Sequence, residues 1–246
     1  MSTADLDRAI ARPVSGNAVS YIRGGTASAP RVIYVHGTPG DAGAFAEYVR
    51  DSIEGVESIS VDRPGFGQTG GAALGSFEAQ AAAFRPLLVH RDGQWPVLVG
   101  HSLGGPIVAR AAADYPDRVG AIVIIAGSLD PELEGPRWFN YMGAVLSPIL
   151  PRPLCVSNSE IFAAAEQTKL LSDVLGNVRC PVVIVHGTRD SLVPYANVEF
   201  MQRAFTNAAS IEIMTIDGGS HFIPWQHQDT VRNAVMRAIT AQKQRL

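Results

Sequence analysis

Trp95-Pro96-Val97-Leu98-Val99-Gly100-His101-Ser102-Leu103-Gly104-Gly105, with the alanine-rich run from Ile107 to Tyr115 behind it, decides the architecture. The segment from Trp95 to Val99 is short, apolar and rich in valine, the pattern of a strand buried on both faces. Ile107 to Tyr115 reads as a helix against a core. Gly-x-Ser-x-Gly therefore stands between a strand and a helix, the context in which this motif presents a nucleophilic serine. Ser102 must occupy a tight, strained turn for its hydroxyl to stand clear of the sheet. Side chains at 100 and 104 would collide with the neighbouring strand and helix, so both positions call for glycine. The helix start aims free backbone N–H groups at the same place, which suits an oxyanion.

Working outward, strands and helices alternate. Asn17 to Arg23 reads as an edge strand after a loosely held lead-in over residues 1–13. Further strands are expected at Arg31–His36, Ser58–Val61, Val119–Ala126, Pro181–Val185 and Ser210–Ile216. Helices are expected from a cap at Asp41 to Arg50, over Phe77–His90 with an interruption at Pro86, and over Ser159–Leu175, Asn197–Phe205 and Gln226–Thr240. That alternation calls for an α/β fold with a mostly parallel sheet and helices on both faces. Ligands of such sheets sit beyond the carboxyl ends of the strands, where every motif singled out here falls. Between Gly127 and Arg179 no strand is expected, and Pro131, Pro136, Pro148, Pro151 and Pro153 punctuate the stretch. A segment this long between two strands reads as an inserted cap. The expected domains are a core of 1–127 and 176–246 and a cap of 128–175.

A serine needs a base, and the base needs a carboxylate. Of six histidines, His90 and His227 are expected within helices. His36, His101 and His186 close strands, where they fix backbone. His221 lies in the glycine-rich loop Asp217-Gly218-Gly219-Ser220-His221-Phe222, which can carry an imidazole over the sheet edge. Asp190 follows the penultimate strand, so Ser102, Asp190 and His221 occur in the order this arrangement requires. Asp130 is the next candidate acid, and Asp217 lies too near His221 in a tight loop. The N–H groups of Leu103 and Thr38 are the candidate oxyanion donors, because Pro39 has no N–H to offer. Trp138, Phe139, Met142 and Leu146 in the cap, with Phe222, are the candidate substrate pocket. Asp62-Arg63-Pro64-Gly65-Phe66-Gly67 reads as a structural brace.

The chain has 246 residues, 46% hydrophobic and 17% charged, with a net charge of −3. That suits a globular domain and gives no basic run for nucleic acid. Residues Met1 to Asp7 lack the basic-then-apolar layout of a signal peptide, and no apolar run reaches the roughly 18 residues of a membrane span. The expectation is a cytoplasmic protein. Its two cysteines, Cys155 and Cys180, are expected to be reduced and have no metal-type spacing.

These residues resemble the α/β-hydrolase superfamily, in particular its compact bacterial serine esterases with a cap after the sixth strand. The resemblance rests on His36-Gly37-Thr38-Pro39-Gly40, Asp62 to Gly67, Gly100 to Gly105, His186-Gly187-Thr188-Arg189-Asp190 and Gly219-Ser220-His221-Phe222, spread over residues 30 to 240. It implies hydrolysis of a small-molecule carboxylic ester through an acyl-enzyme, with no metal or organic cofactor. Serine at 102 separates the chain from haloalkane dehalogenases and epoxide hydrolases, which place aspartate there. Carbon–carbon bond hydrolases of ring-cleavage pathways share the triad and need polar residues to grip a dienoate, with Arg137 and Arg152 as candidates. Cofactor-free perhydrolases, and a small-molecule binding module on the same fold, are the remaining alternatives. The motifs leave the oligomeric state open.

Overall fold

In the computed structural model, residues 3–12, 18–72, 74–136 and 138–244 are described. Eight strands form one sheet: β1 (Asp7–Ala11), β2 (Val19–Gly25), β3 (Arg31–Val35), β4 (Glu57–Val61), β5 (Val97–His101), β6 (Ala121–Ile125), β7 (Val182–Gly187) and β8 (Ile211–Ile216). Their spatial order is β1-β2-β4-β3-β5-β6-β7-β8. β2 runs antiparallel to both neighbours, and every pairing from β4 to β8 is parallel.

The helices are α1 (Ala46–Arg50), α2 (Phe77–Ala83), α3 (Gly104–Asp114), α4 (Trp138–Val145), α5 (Arg152–Ser172), α6 (Ala196–Ala204), α7 (Ile223–Gln226) and α8 (Gln228–Lys243). Strands β3, β5, β6 and β7 are largely apolar because both faces are covered. Ile33, Val35, Leu98, Ile122, Ile124 and Ile184 pack on one side with Ile107 and Val108 of α3. Val32, Tyr34, Val97, Val99, Val123 and Val185 pack on the other with Tyr48 of α1 and Val231 and Val235 of α8. The period-2 alternation of strand side chains divides one run between two cores. Fully burying one such side chain stabilises the fold by ~1.5–3 kcal/mol.

Several sequence expectations need correction. Residues 7–11, expected in a loose lead-in, form β1 on the sheet edge. Ion pairs Arg8–Asp62 and Arg23–Asp7 anchor it. β2 is thus the second strand and not the edge, and it begins at Val19, with Asn17 outside the described residues. The helix expected to His90 stops at Ala83, and Pro86 sits in a 3-10 turn at Arg85–Leu87. Proline lacks the N–H that a continuing helix needs. His90 therefore lies in a loop, its ring 5.0 Å from that of Trp95. His227 is the break between α7 and α8. Asp41 does cap the next turn, its carboxylate accepting from Gly43 N at 2.7 Å.

Between β6 and β7 the chain holds α4, α5 and two 3-10 turns, with no strand among the described residues. α5 begins at Arg152, earlier than expected, with Pro153 in its first turn, where a missing N–H does no harm. No disulfide joins Cys155 and Cys180. No helix among the described residues is long and apolar enough to cross a membrane.

Candidate functional site

Strand β5 delivers Ser102 into a left-handed backbone conformation, φ +53°, which L side chains rarely adopt. Two backbone hydrogen bonds hold it there: Ser102 N–H donates to Ile125 O (3.0 Å), and Gly105 N–H donates to Ser102 O (2.9 Å). The flanking glycines are required by space. A Cβ at Gly100 would lie 2.3 Å from Gly104 O at the helix start, and one at Gly104 would lie 2.2 Å from Val35 O on β3.

Asp190 follows β7 and His221 follows β8, and the structure brings them together. His221 Nδ1 lies 2.7 Å from Asp190 Oδ2. Asp190 Oδ1 accepts from the N–H groups of Leu192 (2.9 Å) and Val193 (2.8 Å). Burial opposes ionisation of Asp190, but the hydrogen bonds from His221 and the backbone outweigh it, and its pKa falls below the ordinary 3.8. The other candidate acids are engaged elsewhere. Asp130 accepts from Glu132 N (3.0 Å) and Asp217 from Thr188 Oγ1 (3.1 Å).

The three strand-closing histidines do fix backbone. His36 Nδ1 lies 2.7 Å from Gly37 O, and its Nε2 accepts from Arg63 N (3.1 Å). His101 Nε2 lies 3.0 Å from His221 O, and His186 Nε2 lies 3.0 Å from Val193 O. Burial depresses the pKa of all three: His101 to about 3, His36 well below 6.5, and His186 in the same direction. Neutral, each donates one N–H to a carbonyl.

Ser102 and His221 line two cavities that meet at the serine. The larger, about 530 Å³, runs along residues 36–44 and is walled by Phe222 and Trp225. The smaller, about 240 Å³, lies beneath the segment between β6 and β7 and is lined by Leu133, Ile161 and Ala164. Thr38 and Leu103 both border the smaller cavity. Among the described residues, no acceptor in the chain takes either of their N–H groups. Thr38 Oγ1 is buried without a partner as well.

The expected pocket is largely displaced. Among the described residues of that set, only Phe222 borders a cavity at Ser102. Trp138, Met142 and Leu146 border neither, and are exposed on α4 and just beyond it, at 73%, 53% and 42%. Eight residues of helix give α4 too little surface to turn every apolar side chain inward. The side chain of Phe139, and Arg137 altogether, lie outside the described residues. Trp225, Leu192 and Ile161 were missed. Leu192 and Trp225 stand two and four residues after Asp190 and His221, which was the available signal. Among the described residues no cluster of three or more His, Cys, Asp or Glu could hold a metal ion.

A family model described as alpha/beta hydrolase fold matches residues 30–154, just over half of the chain. An esterase of Mycobacterium tuberculosis is 33% identical over 114 residues, 46% of this chain and 37% of that protein. The chain spans between 30% and 54% of the length of the first curated relatives it matches. Among solved structures, a monoacylglycerol lipase of Paleococcus ferrophilus superposes with a TM-score of 0.71 at 21% identity, over 91% of this chain and 99% of that one. The 2-hydroxy-6-oxo-6-phenylhexa-2,4-dienoate hydrolase of a Rhodococcus strain gives 0.75 at 17% identity, over 96% and 100%.

Proposed function

From the premise that this chain belongs to the alpha/beta hydrolase family, we propose that it is a serine hydrolase of small to medium carboxylic esters, with Ser102, His221 and Asp190 as its triad. The observation that carries the proposal is the 2.7 Å contact between His221 Nδ1 and Asp190 Oδ2, in a site whose serine has φ +53°. A carboxylate on Nδ1 leaves Nε2 as the basic nitrogen of the ring.

Ser102 Oγ attacks the ester carbonyl carbon and its proton passes to His221 Nε2. The N–H groups of Leu103 and Thr38 hold the oxygen that becomes negative. On collapse, the bond to the alcohol oxygen breaks and His221 returns the proton to it. Water then repeats the sequence on the acyl-enzyme and releases the acid and free Ser102. The mechanism uses no metal or cofactor. We read residues 128–175 as a cap that roofs the smaller cavity, on a core of 1–127 and 176–246. The partner is a small-molecule ester, not nucleic acid or a membrane, and the setting we propose is the cytoplasm.

A carbon–carbon bond hydrolase is the second reading, favoured by the likeness to the dienoate hydrolase. Such a substrate carries a carboxylate, yet no Arg or Lys is among the described residues lining the two cavities. Arg152 donates instead to Gly71 O. The ester reading is therefore preferred.

The test is hydrolysis of a p-nitrophenyl ester series by the wild type and by Ser102→Ala. Turnover that disappears in the variant supports the proposal. A folded wild type that turns over no ester overturns it and redirects the assay to dienoate cleavage, perhydrolysis and ligand binding.

A further inference from the structure

Arg63 is fully buried and joins two parts of the molecule that are far apart in sequence. Its Nη1 donates to Glu160 Oε1 (2.6 Å) and its Nη2 to Glu160 Oε2 (3.0 Å). Glu160 lies on α5, in the segment between β6 and β7, and is itself buried. Gln80 of α2 closes the cluster, accepting from Arg63 Nη1 (2.7 Å) and donating from Nε2 to Glu160 Oε1 (2.9 Å).

The same Nη2 also donates to the carbonyl oxygen of Gly37 at 2.8 Å. His36 Nδ1, 2.7 Å away, is a second donor to that oxygen. The tautomer is fixed, because His36 Nε2 accepts from Arg63 N and must be bare. Gly37 C=O and Thr38 N–H are the two ends of one peptide group. A carbonyl that accepts a charge-assisted and a neutral hydrogen bond has its peptide plane pinned. The same bonds draw electron density toward oxygen and make the N–H at the other end a stronger donor.

We propose that Arg63 and Glu160 are positioning residues for the oxyanion site: α5 sets the Arg63 guanidinium on the Gly37 carbonyl and thereby orients and strengthens Thr38 N–H. This rests on the ester-hydrolase reading above, in which Thr38 N–H holds the oxyanion. It couples the placement of the inserted segment to the chemistry without any residue of that segment touching the reacting atoms. Leu103 N–H, the other donor, is outside the circuit and serves as an internal control.

Removing one member of a buried ion pair strands a charge and is strongly destabilising. The test therefore uses Arg63→Met combined with Glu160→Gln, which leaves no net charge and keeps an amide at 160 beside Gln80. Arg63→Lys, which keeps a positive charge beside Glu160 but loses the planar fork that reaches Gly37 O, is the second variant if the pair does not fold. Three readouts are compared with wild type: kcat and KM on p-nitrophenyl butyrate, affinity for a trifluoromethyl ketone that forms a hemiketal oxyanion, and the amide proton shifts of Thr38 and Leu103. The expected result is a kcat about 10-fold lower, short of the 10²–10³ lost with a whole donor, with KM within about 2-fold. Ketone affinity should fall in parallel, and the Thr38 amide should move upfield while Leu103 stays. Unchanged kcat and ketone affinity in a folded variant overturn the proposal, as does an unmoved Thr38 amide beside any loss of activity. A wild type without ester turnover defeats the ester reading instead, and the Thr38 shift still decides whether the circuit exists.

Discussion

His101 holds the backbone of His221: its Nε2 lies 3.0 Å from the His221 carbonyl oxygen, and the two rings are 4.8 Å apart. Burial, with the nearby His221 ring adding to it, lowers the His101 pKa to about 3, so the ring stays neutral and donates. The residue before the serine thus fixes the loop that carries the histidine, while Asp190 fixes the histidine's ring. His101→Phe keeps an aromatic ring against Trp225, now 5.4 Å away edge-on, and deletes the donor. Loosening a catalytic group can lose up to about 10²-fold in rate, and a roughly 10-fold drop in kcat at unchanged KM is expected here. Steady-state kinetics on a short ester check this. A lower melting temperature at full kcat would reduce His101 to a packing residue.

Three buried neutral histidines make stability depend on pH in a defined direction. His36, His101 and His186 have folded pKa values below the ordinary 6.5. Below 6.5 the unfolded chain binds protons that the folded chain refuses. Stability is therefore highest above that pH and falls as pH drops toward about 3, the folded value for His101. Each histidine contributes up to about 1.4 kcal/mol per pH unit. Asp190 acts in a lower window. Its folded pKa lies below 3.8, so its contribution is intact above 3.8 and is lost only as pH falls through the folded value. Urea midpoints at about pH 7 and about pH 5 should differ clearly, and the difference should shrink in His101→Gln. Equal midpoints would mean that the three rings titrate normally.

The sheet, its order of motifs and the Asp190–His221 contact were legible because each depends on local chemistry. Glycines at 100 and 104 report close backbone approaches. The apolar run Val97-Leu98-Val99 of β5 reports burial on both faces. β1 was illegible because its pairing is long-range and all its residues but Ala11 are exposed or half-exposed, so Asp7-Arg8-Ala9-Ile10-Ala11 carries no clear alternation. The pocket was illegible for a related reason. Hydrophobicity marks Trp138 and Met142 as apolar, but only the packing of α4 on α5 decides which way they face. Arg63 was recognised as a brace, but its partner Glu160 is 97 residues away and has no sequence signature.

Gly37 leaves no room for a side chain beside Ser102, and this makes it a sensitive reporter. A Cβ at 37 would lie 2.9 Å from Ser102 Cβ and 3.2 Å from His101 O. Gly37→Ala must shift either the elbow or the oxyanion loop by a few tenths of an ångström. Activity is expected to fall by about 10²-fold at a stability cost of about 1–3 kcal/mol, the usual range for overpacking. Gly100→Ala meets backbone at 2.3 Å on a fixed helix start and should fold poorly. Comparing the two by urea melts and ester kinetics separates the effects. Full activity in Gly37→Ala would show that the loop yields without moving the site.

The exposed residues of α4 and the lining of the smaller cavity make opposite predictions for chain-length preference. Trp138 and Met142 border neither cavity and are 73% and 53% exposed. Met142→Ser should therefore change stability by no more than about 0.5 kcal/mol, as exposed substitutions do, and leave the ester profile as it was. Ile161 lies on α5 and borders the cavity of about 240 Å³. Ile161→Trp adds bulk to that wall, so long acyl chains should be excluded while acetyl esters remain substrates. The profile from acetyl to decanoyl should end earlier in Ile161→Trp, with kcat/KM for the longest chains down by about 10-fold or more, a loss of about 1.4 kcal/mol. A shortened profile in Met142→Ser, with Ile161→Trp unchanged, would move the acyl site to the outer face of α4 and return that helix to the role its composition suggested.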